Sequence, residues 1–399
     1  MRGDERTLGT KEVARRLGVK PETVYAYVSR GLLERDPSSR PHRSLFARDA
    51  VERLAARARR TDRSGALEVV VETELTLLDP AGRLLYRGHD AVELARHRSF
   101  ERVAALLWDG EAGAPWELEP GAARAVSSLA AVLGEDIGAT ERIPAIVATL
   151  GASDPLRADR RPEAVRRTGA NIFAGILDGL PRRGTPIDRG VAARLWTTLV
   201  AGERRPKPGQ LAALNAALVL LADHELAAST LAARVAASAW ADPYRVVLAG
   251  LGPIGGPLHG GAPAAVESIF ATIDTPADVP RVLDQHLGLG MPLPGFGHPV
   301  YRDHDPRADH LLGRLPRCAE DRSEARNVEA LLEAASSRGL PAANVDLALG
   351  ALARSMRLRP GSASTIFTFA RIAGMLAHAL EEYPHRLRFR PRATYIGPR

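Results

Sequence analysis

The 399-residue chain contains one cysteine, Cys318. A single thiol excludes an intrachain disulfide, leaves no Cys-based zinc site and fits a cytoplasmic protein. Lysine is almost as scarce: Lys11, Lys20 and Lys207 are the only lysines among 54 basic side chains, the rest being arginine. No run of 18 apolar residues occurs, and the first ten residues, MRGDERTLGT, are charged, so neither a membrane span nor a signal peptide is expected. What remains, 45% hydrophobic and 25% charged, is ordinary for a soluble globular protein of two or three domains.

The positive charge is concentrated. Residues 1–64 carry 16 Lys+Arg against 9 Asp+Glu, a net of +7, and the rest of the chain carries 38 of each. The whole formal excess therefore sits in the first sixth of the chain, the electrostatic footprint of a polyanion binder. Arginine abundance alone reflects a compositional bias, so the asymmetry carries this reading.

That basic segment has the pattern of three short helices. Thr10 can cap a helix over 11–17, a Gly18-Val19 turn follows, and Pro21 takes the favoured first position of a second helix ending at Gly31. Val13, Leu17, Val19, Val24 and Val28 have the spacing of one small core. A polar stretch leads to Ser44-Leu45-Phe46 and a third helix over 49–60. The pattern TKEVARRLGVKPETVYAYVSRGLLERD…RSLFARDAVERL resembles the winged helix-turn-helix of MerR-type and excisionase-type DNA-binding domains. On that resemblance 21–30 is the recognition helix, and Thr23, Tyr25, Tyr27 and Arg30 are candidates to touch DNA. A dimerisation or purely structural module is the alternative.

Residues 57–65 (RARRTDRSG) form a charged linker. Alternation in LEVVVETELTLLDPAGRLLYRGHD, around an Asp79-Pro80-Ala81-Gly82 turn, predicts a β-hairpin. From Val92 onward Ala- and Leu-rich helical segments dominate, and 112–210 reads as helices with a Pro- and Arg-rich loop near 181–186. The expected fold class is mainly α.

Three separated clusters carry groups suited to carbonyl chemistry. They are GLGPIGGPLHGG at 250–261, PGFGHPVYRDHDPR at 294–307, and Asn344-Val345-Asp346 with Arg371 and Arg390 downstream. Gly250-x-Gly252-x-x-Gly255 formally matches a dinucleotide fingerprint, but no βαβ alternation surrounds it, which argues against a nicotinamide cofactor. A lone glycine-flanked histidine is ordinarily a satisfied loop histidine. Two of them, His259 and His298, together with Asp346, make a toolkit for deprotonating carbon beside a carbonyl. A carboxylate takes the proton, and neutral imidazoles hydrogen-bond the enolate and the electrophile.

GPLHGGA, GFGHPVYRDHDPRA, NVD, FARIAGMLAH and RPRATYIG closely resemble, in order and spacing, the motifs of citrate synthases. LLADHELAAST (220–230) and LLYRGHDAVELA (84–95) do so too. The resemblance runs from about Leu67 to the end of the chain. It implies that His259 steadies the acetyl-CoA enolate, Asp346 takes the methyl proton, and His298 polarises the oxaloacetate carbonyl. His224, Arg307 and Arg371 match oxaloacetate-binding positions, and Arg390 matches the arginine that reaches in from a partner subunit. Three arginines suit a dicarboxylate substrate, because the guanidinium fork binds carboxylates bidentately.

The implied fold is a large helical domain (61–261 and 361–399) and a small helical domain (262–360) closing over a cleft, preceded by the helix-turn-helix domain at 1–60. The implied assembly is a homodimer. Acetyl-CoA or propionyl-CoA is a substrate, and neither a metal nor a bound cofactor is implied. Pro263 and Pro299 stand where many relatives carry other residues, which bears on the CoA loop and the substrate. The expected activity is condensation of acetyl-CoA with oxaloacetate to citrate. The alternatives are 2-methylcitrate synthesis from propionyl-CoA, and a DNA-binding regulator that senses a metabolite through this fold.

Overall fold

Described in this computed structural model are residues 7–17, 21–29, 33–36, 39, 44–48, 50–51, 69–111, 113, 115–134, 136–288, 292–391 and 397. Two compact units divide between Glu72 and Thr73.

In the first unit, strand Thr7–Gly9 pairs antiparallel with Leu45–Ala47, and helices Thr10–Leu17 and Pro21–Ser29 pack against each other. The core is Leu8, Val13, Ala14, Val24, Leu33, Phe46 and Val51. Val13 and Val24 were expected there; Phe46, supplied by the second strand, and Val51 were not. Tyr27 and Val28 pack partly buried against this core. Tyr25 is 46% exposed with the Arg35 guanidinium 5.8 Å from its ring, and Thr23 is half-buried. Arg30, the 18–19 turn, the 57–65 linker and all but 50–51 of the third helix lie outside the described residues.

The second unit opens with the expected hairpin. Thr76–Asp79 pairs with Arg83–Tyr86, and a short strand, His89–Asp90, adds to the edge. Asp79 builds the turn by accepting from Ala81 N at 2.9 Å. The strand begins at Thr76, later than the alternation suggests, and one further in-register bond, Arg87 N to Leu75 O at 2.8 Å, precedes it.

Beyond His89–Asp90 the described elements are helices, and their starts follow local chemistry. Asp90 accepts from Val92 N and Glu93 N to cap helix Ala91–His97. Pro120, Pro162, Pro208, Pro243 and Pro306 each open a helix at a position whose N–H needs no partner. Helix Pro243–Ile254 contains the Gly250/Gly252 pair, so the formal dinucleotide fingerprint lies inside a helix.

The organising element is helix Ser362–Glu382, in which only Leu380 and Glu381 escape burial. It packs on helices Ala228–Ser238, Pro243–Ile254, Pro208–Leu221 and Pro162–Gly179. Its length and apolarity would suit a membrane, but 94% of its apolar window is buried by the unit's own helices, which makes it a core helix. Each large apolar side chain fully buried there, such as Phe369, stabilises the unit by about 2 kcal/mol. A second group, Ala262–Phe270 and Pro306–Leu312 packed on Val345–Ser355, carries the remaining motifs.

Candidate active site

One asparagine stitches two of the motifs together. Asn344 N donates to Gly295 O and Asn344 Nδ2 to Gly297 O, both at 2.9 Å. Its Oδ1 accepts from Asp346 N at 2.9 Å, which caps helix Val345–Ser355. Gly295, at φ +86°, crosses this helix so closely that a Cβ would stand 2.9 Å from Leu347 Cβ. The loop carrying His298 is thereby fixed against the helix start carrying Asp346.

His298 is half-buried, and its Nδ1 accepts from the N–H groups of Val300 (3.1 Å) and Tyr301 (3.0 Å). Two donors on Nδ1 leave the ring proton on Nε2, so the neutral ring presents an N–H on its other edge. Burial, and then the Arg307 charge, push its pKa down to about 4, against a smaller pull from Asp305. The ring is therefore neutral at pH 7. Tyr301 stacks on it at 4.9 Å, and the His224 ring stands edge-on at 5.1 Å.

His224 is held well below the ordinary histidine pKa by burial first, then by Arg307 and Arg371. Its Nε2 is buried and has no hydrogen-bond partner among the described residues. Such an atom costs free energy until a ligand group pairs with it, as expected of a binding-site nitrogen. His259 lies across from Phe367, ring to ring at 5.8 Å, with Nε2 2.9 Å from Ser229 Oγ. Burial, then Arg371, lowers its pKa as well.

Asp346 behaves in the opposite sense. Burial pushes its pKa up to about 6 against the pull of Arg307 and Arg371, with Asp305 adding to the rise. A carboxyl near 6 has the basicity that proton abstraction at neutral pH requires.

Both arginines are buried. Arg307 donates Nε and Nη2 to Asp305 at 2.9 and 2.7 Å, which leaves Nη1 for a ligand. Arg371 donates Nε to the Leu221 carbonyl at 3.0 Å, and its guanidinium lies 5.0 Å from the Phe367 ring. Through space both arginines act on His224 and on Asp346. His224, His298, Asp346, Arg307 and Arg371 thus form one electrostatic cluster, and His259 joins it through Arg371. Arg390 is exposed, and no hydrogen bond, ion pair or ring contact among the described residues joins it to the cluster.

The sequence reading missed Asp305, Tyr301, Ser229 and Phe367 as individual contributors. Asp305 had a signal, since an acidic residue before Pro306 is an N-cap pattern. Ser229 lies in the quoted stretch 220–230, but nothing local ties it to His259, 30 residues away. A cavity of about 350 Å³ lies elsewhere, lined by Glu267, Arg354 and Arg359 among others, and contains none of the candidates. The chemistry sits in the histidine cluster. Among the described residues no group of three or more His, Cys, Asp or Glu side chains is gathered to hold a metal ion.

A helical unit that sets neutral imidazoles and a raised carboxyl beside buried arginines is laid out for condensing chemistry on an acyl group. The comparisons agree with this. The family model of the citrate synthase C-terminal domain matches residues 66–392, and that of a helix-turn-helix domain matches 7–59. The chain belongs to the citrate synthase family and carries a helix-turn-helix domain ahead of the enzyme.

Citrate synthase 2 of Bacillus subtilis is 31% identical over 79% of this chain and 90% of its own length. The 2-methylcitrate synthase of Mycobacterium tuberculosis is 32% identical over 84% of this chain and 90% of its own. Among solved structures, citrate synthase from Thermotoga maritima superposes with a TM-score of 0.68 at 26% identity, covering 83% of this chain and 94% of that one. The ternary complex of Thermoplasma acidophilum citrate synthase with carboxymethyl coenzyme A and oxaloacetate gives 0.65 at 27% identity, with the same coverage.

Proposed function

We propose that the Thr73–Arg399 unit condenses acetyl-CoA with oxaloacetate and water to give citrate and CoA. The observation that carries this is the pairing of His298, neutral with its Nε2–H free, and Asp346, raised to about 6, on two segments stitched by Asn344. An electrophile and a base are held ready at the same pH.

In this reading Asp346 takes a proton from the acetyl methyl group. In the same scheme the Ser229 hydroxyl is taken as donor to His259 Nε2, 2.9 Å away, so that the His259 proton sits on Nδ1 and hydrogen-bonds the thioester oxygen as it becomes an enolate. The enolate carbon attacks the ketone of oxaloacetate, whose oxygen is polarised by His298 Nε2–H and then protonated. Water cleaves the resulting citryl-CoA thioester and releases CoA as the thiol. His224, Arg307 Nη1 and Arg371 hold the dicarboxylate, and Arg390 of a second subunit completes the pocket in a homodimer. Residues 61–261 and 361–399 act as the large domain and 262–360 as the small domain that closes over it.

Propionyl-CoA, giving 2-methylcitrate, is the second reading for the acyl donor. It is favoured by the equal similarity to a citrate synthase and a 2-methylcitrate synthase, 31% and 32%. A roomier acyl pocket with the same catalytic groups suffices for it. Rates measured with the two donors in parallel decide the product. The helix-turn-helix unit supports DNA binding through Thr23, Tyr25, Tyr27 and Arg30, with the enzyme unit reporting a metabolite as the regulatory alternative. A sensor has no need of a base, and Asp346 is present, so catalysis is the stronger reading.

A further inference from the structure

Behind His224 lies a buried polar chain that the condensation scheme does not use. Asp223 is fully buried, and its Oδ2 accepts from Thr76 Oγ1 (2.5 Å), Glu225 N (3.1 Å) and His378 Nε2 (3.3 Å). His378 Nδ1 lies 2.8 Å from Arg234 Nη1. A guanidinium can only donate, so Nδ1 accepts and the imidazole proton sits on Nε2, directed at Asp223. Arg234 is itself buried and held by Glu382 (Nε to Oε2, 2.9 Å) and Glu381 (Nη1 to Oε2, 2.6 Å). Gly374 closes the other side: its N–H donates to Ala222 O at 2.8 Å, and a Cβ there would stand 2.1 Å from Asp223 Oδ1. Tyr86 Oη lies 3.1 Å from the carbonyls of both Leu220 and Asp223.

The segment so clamped, 221–224, carries two groups of the dicarboxylate pocket. His224 turns its ring to His298, and the Leu221 carbonyl takes Arg371 Nε. We propose that His378 and Asp223 are positioning residues for that pocket, their hydrogen bond setting 221–224 and through it both His224 and Arg371. The proposal rests on placing oxaloacetate against those two residues. A small displacement of two ligand groups at once is felt in binding and reactivity at that substrate, and much less at the acyl-CoA.

The test is steady-state kinetics of the full chain and its His378→Ala, His378→Gln and Thr76→Val variants, varying oxaloacetate and acyl-CoA separately. Glutamine can accept from Arg234 and donate to Asp223 as the imidazole does; alanine does neither. Expected is a rise of about tenfold in the oxaloacetate KM for His378→Ala, an acyl-CoA KM within about twofold of wild type, and recovery of most of the loss by His378→Gln. Thr76→Val is isosteric and removes another donor to the same oxygen. It should show the same split at about threefold, and serves alone should His378→Ala not fold. An oxaloacetate KM unchanged in Thr76→Val and His378→Ala, or both KM values moving together, overturns the proposal. Absence of wild-type turnover in the same assay would instead strike the underlying substrate assignment.

Discussion

Asp305 grips Arg307 with both carboxylate oxygens and still accepts the N–H of Val345, the residue before Asp346, at 3.1 Å. One buried acid therefore ties Arg307, proposed to hold the substrate, to the helix start that carries Asp346, the proposed base. Asp305→Ala leaves a buried guanidinium without its counter-charge, which costs about 3–5 kcal/mol. The expected result is a lower denaturant midpoint together with loss of condensation. Denaturant unfolding and the CoA-release rate, measured on one preparation, check both.

His298 already carries its proton on Nε2 and is neutral above about pH 4. Its titration should therefore leave no mark on the rate between pH 6 and 9. His298→Ala removes the donor to the ketone and should lower kcat by about 10²–10³-fold, with the acyl-CoA KM little changed. A pH–rate profile of the wild type and saturation curves of the variant give the two numbers.

Asp346 must be ionised to act as the base. With its pKa up at about 6, kcat should climb as pH rises through 6 and level off above 7. The same shift acts on stability. The folded protein holds this proton more tightly than the unfolded chain, so the stabilisation is complete below the ordinary value of 3.8 and is lost as pH rises through about 6. Asp346→Asn should therefore be inactive yet more stable than wild type at pH 8, by about 1 kcal/mol or about 2 °C in Tm. The difference should vanish near pH 4. Thermal unfolding at the two pH values reads the sign.

Most of the net charge lies in the N-terminal unit: residues 1–72 carry 16 Lys+Arg against 11 Asp+Glu, a net of +5, and residues 73–399 carry 38 against 36, a net of +2. A chain beginning at Thr73 should retain turnover. The full chain should bind duplex DNA with an affinity whose logarithm falls linearly with log salt, and Tyr25→Ala, at an exposed recognition-helix position, should weaken it. A salt-insensitive protein partner in place of DNA would contradict the charge reading. Titrations at several salt concentrations distinguish them.

Much of this architecture was legible because its signals are local. Pro21 at a helix start, the Asp79 turn and the glycine-flanked histidines are all set by residues a few positions apart. What stayed silent is long-range pairing. Thr76 and Asp223 meet across 147 positions, and Arg234 and His378 across 144, with nothing in either neighbourhood to name the other. The order of the motifs pointed to the candidate site, but the tautomer of His298 and the direction in which Asp346 titrates required the packed surroundings. Phe46 was missed as a core residue for a related reason, since it enters from a three-residue strand too short to show a period.

The most direct test of the account is release of free CoA thiol by the purified full chain given acetyl-CoA and oxaloacetate, with propionyl-CoA in parallel and Asp346→Ala as control. The account predicts turnover that requires oxaloacetate and disappears in the variant, while the variant still binds oxaloacetate. Turnover that survives Asp346→Ala, or no turnover with either donor despite oxaloacetate binding to the wild type, would contradict it.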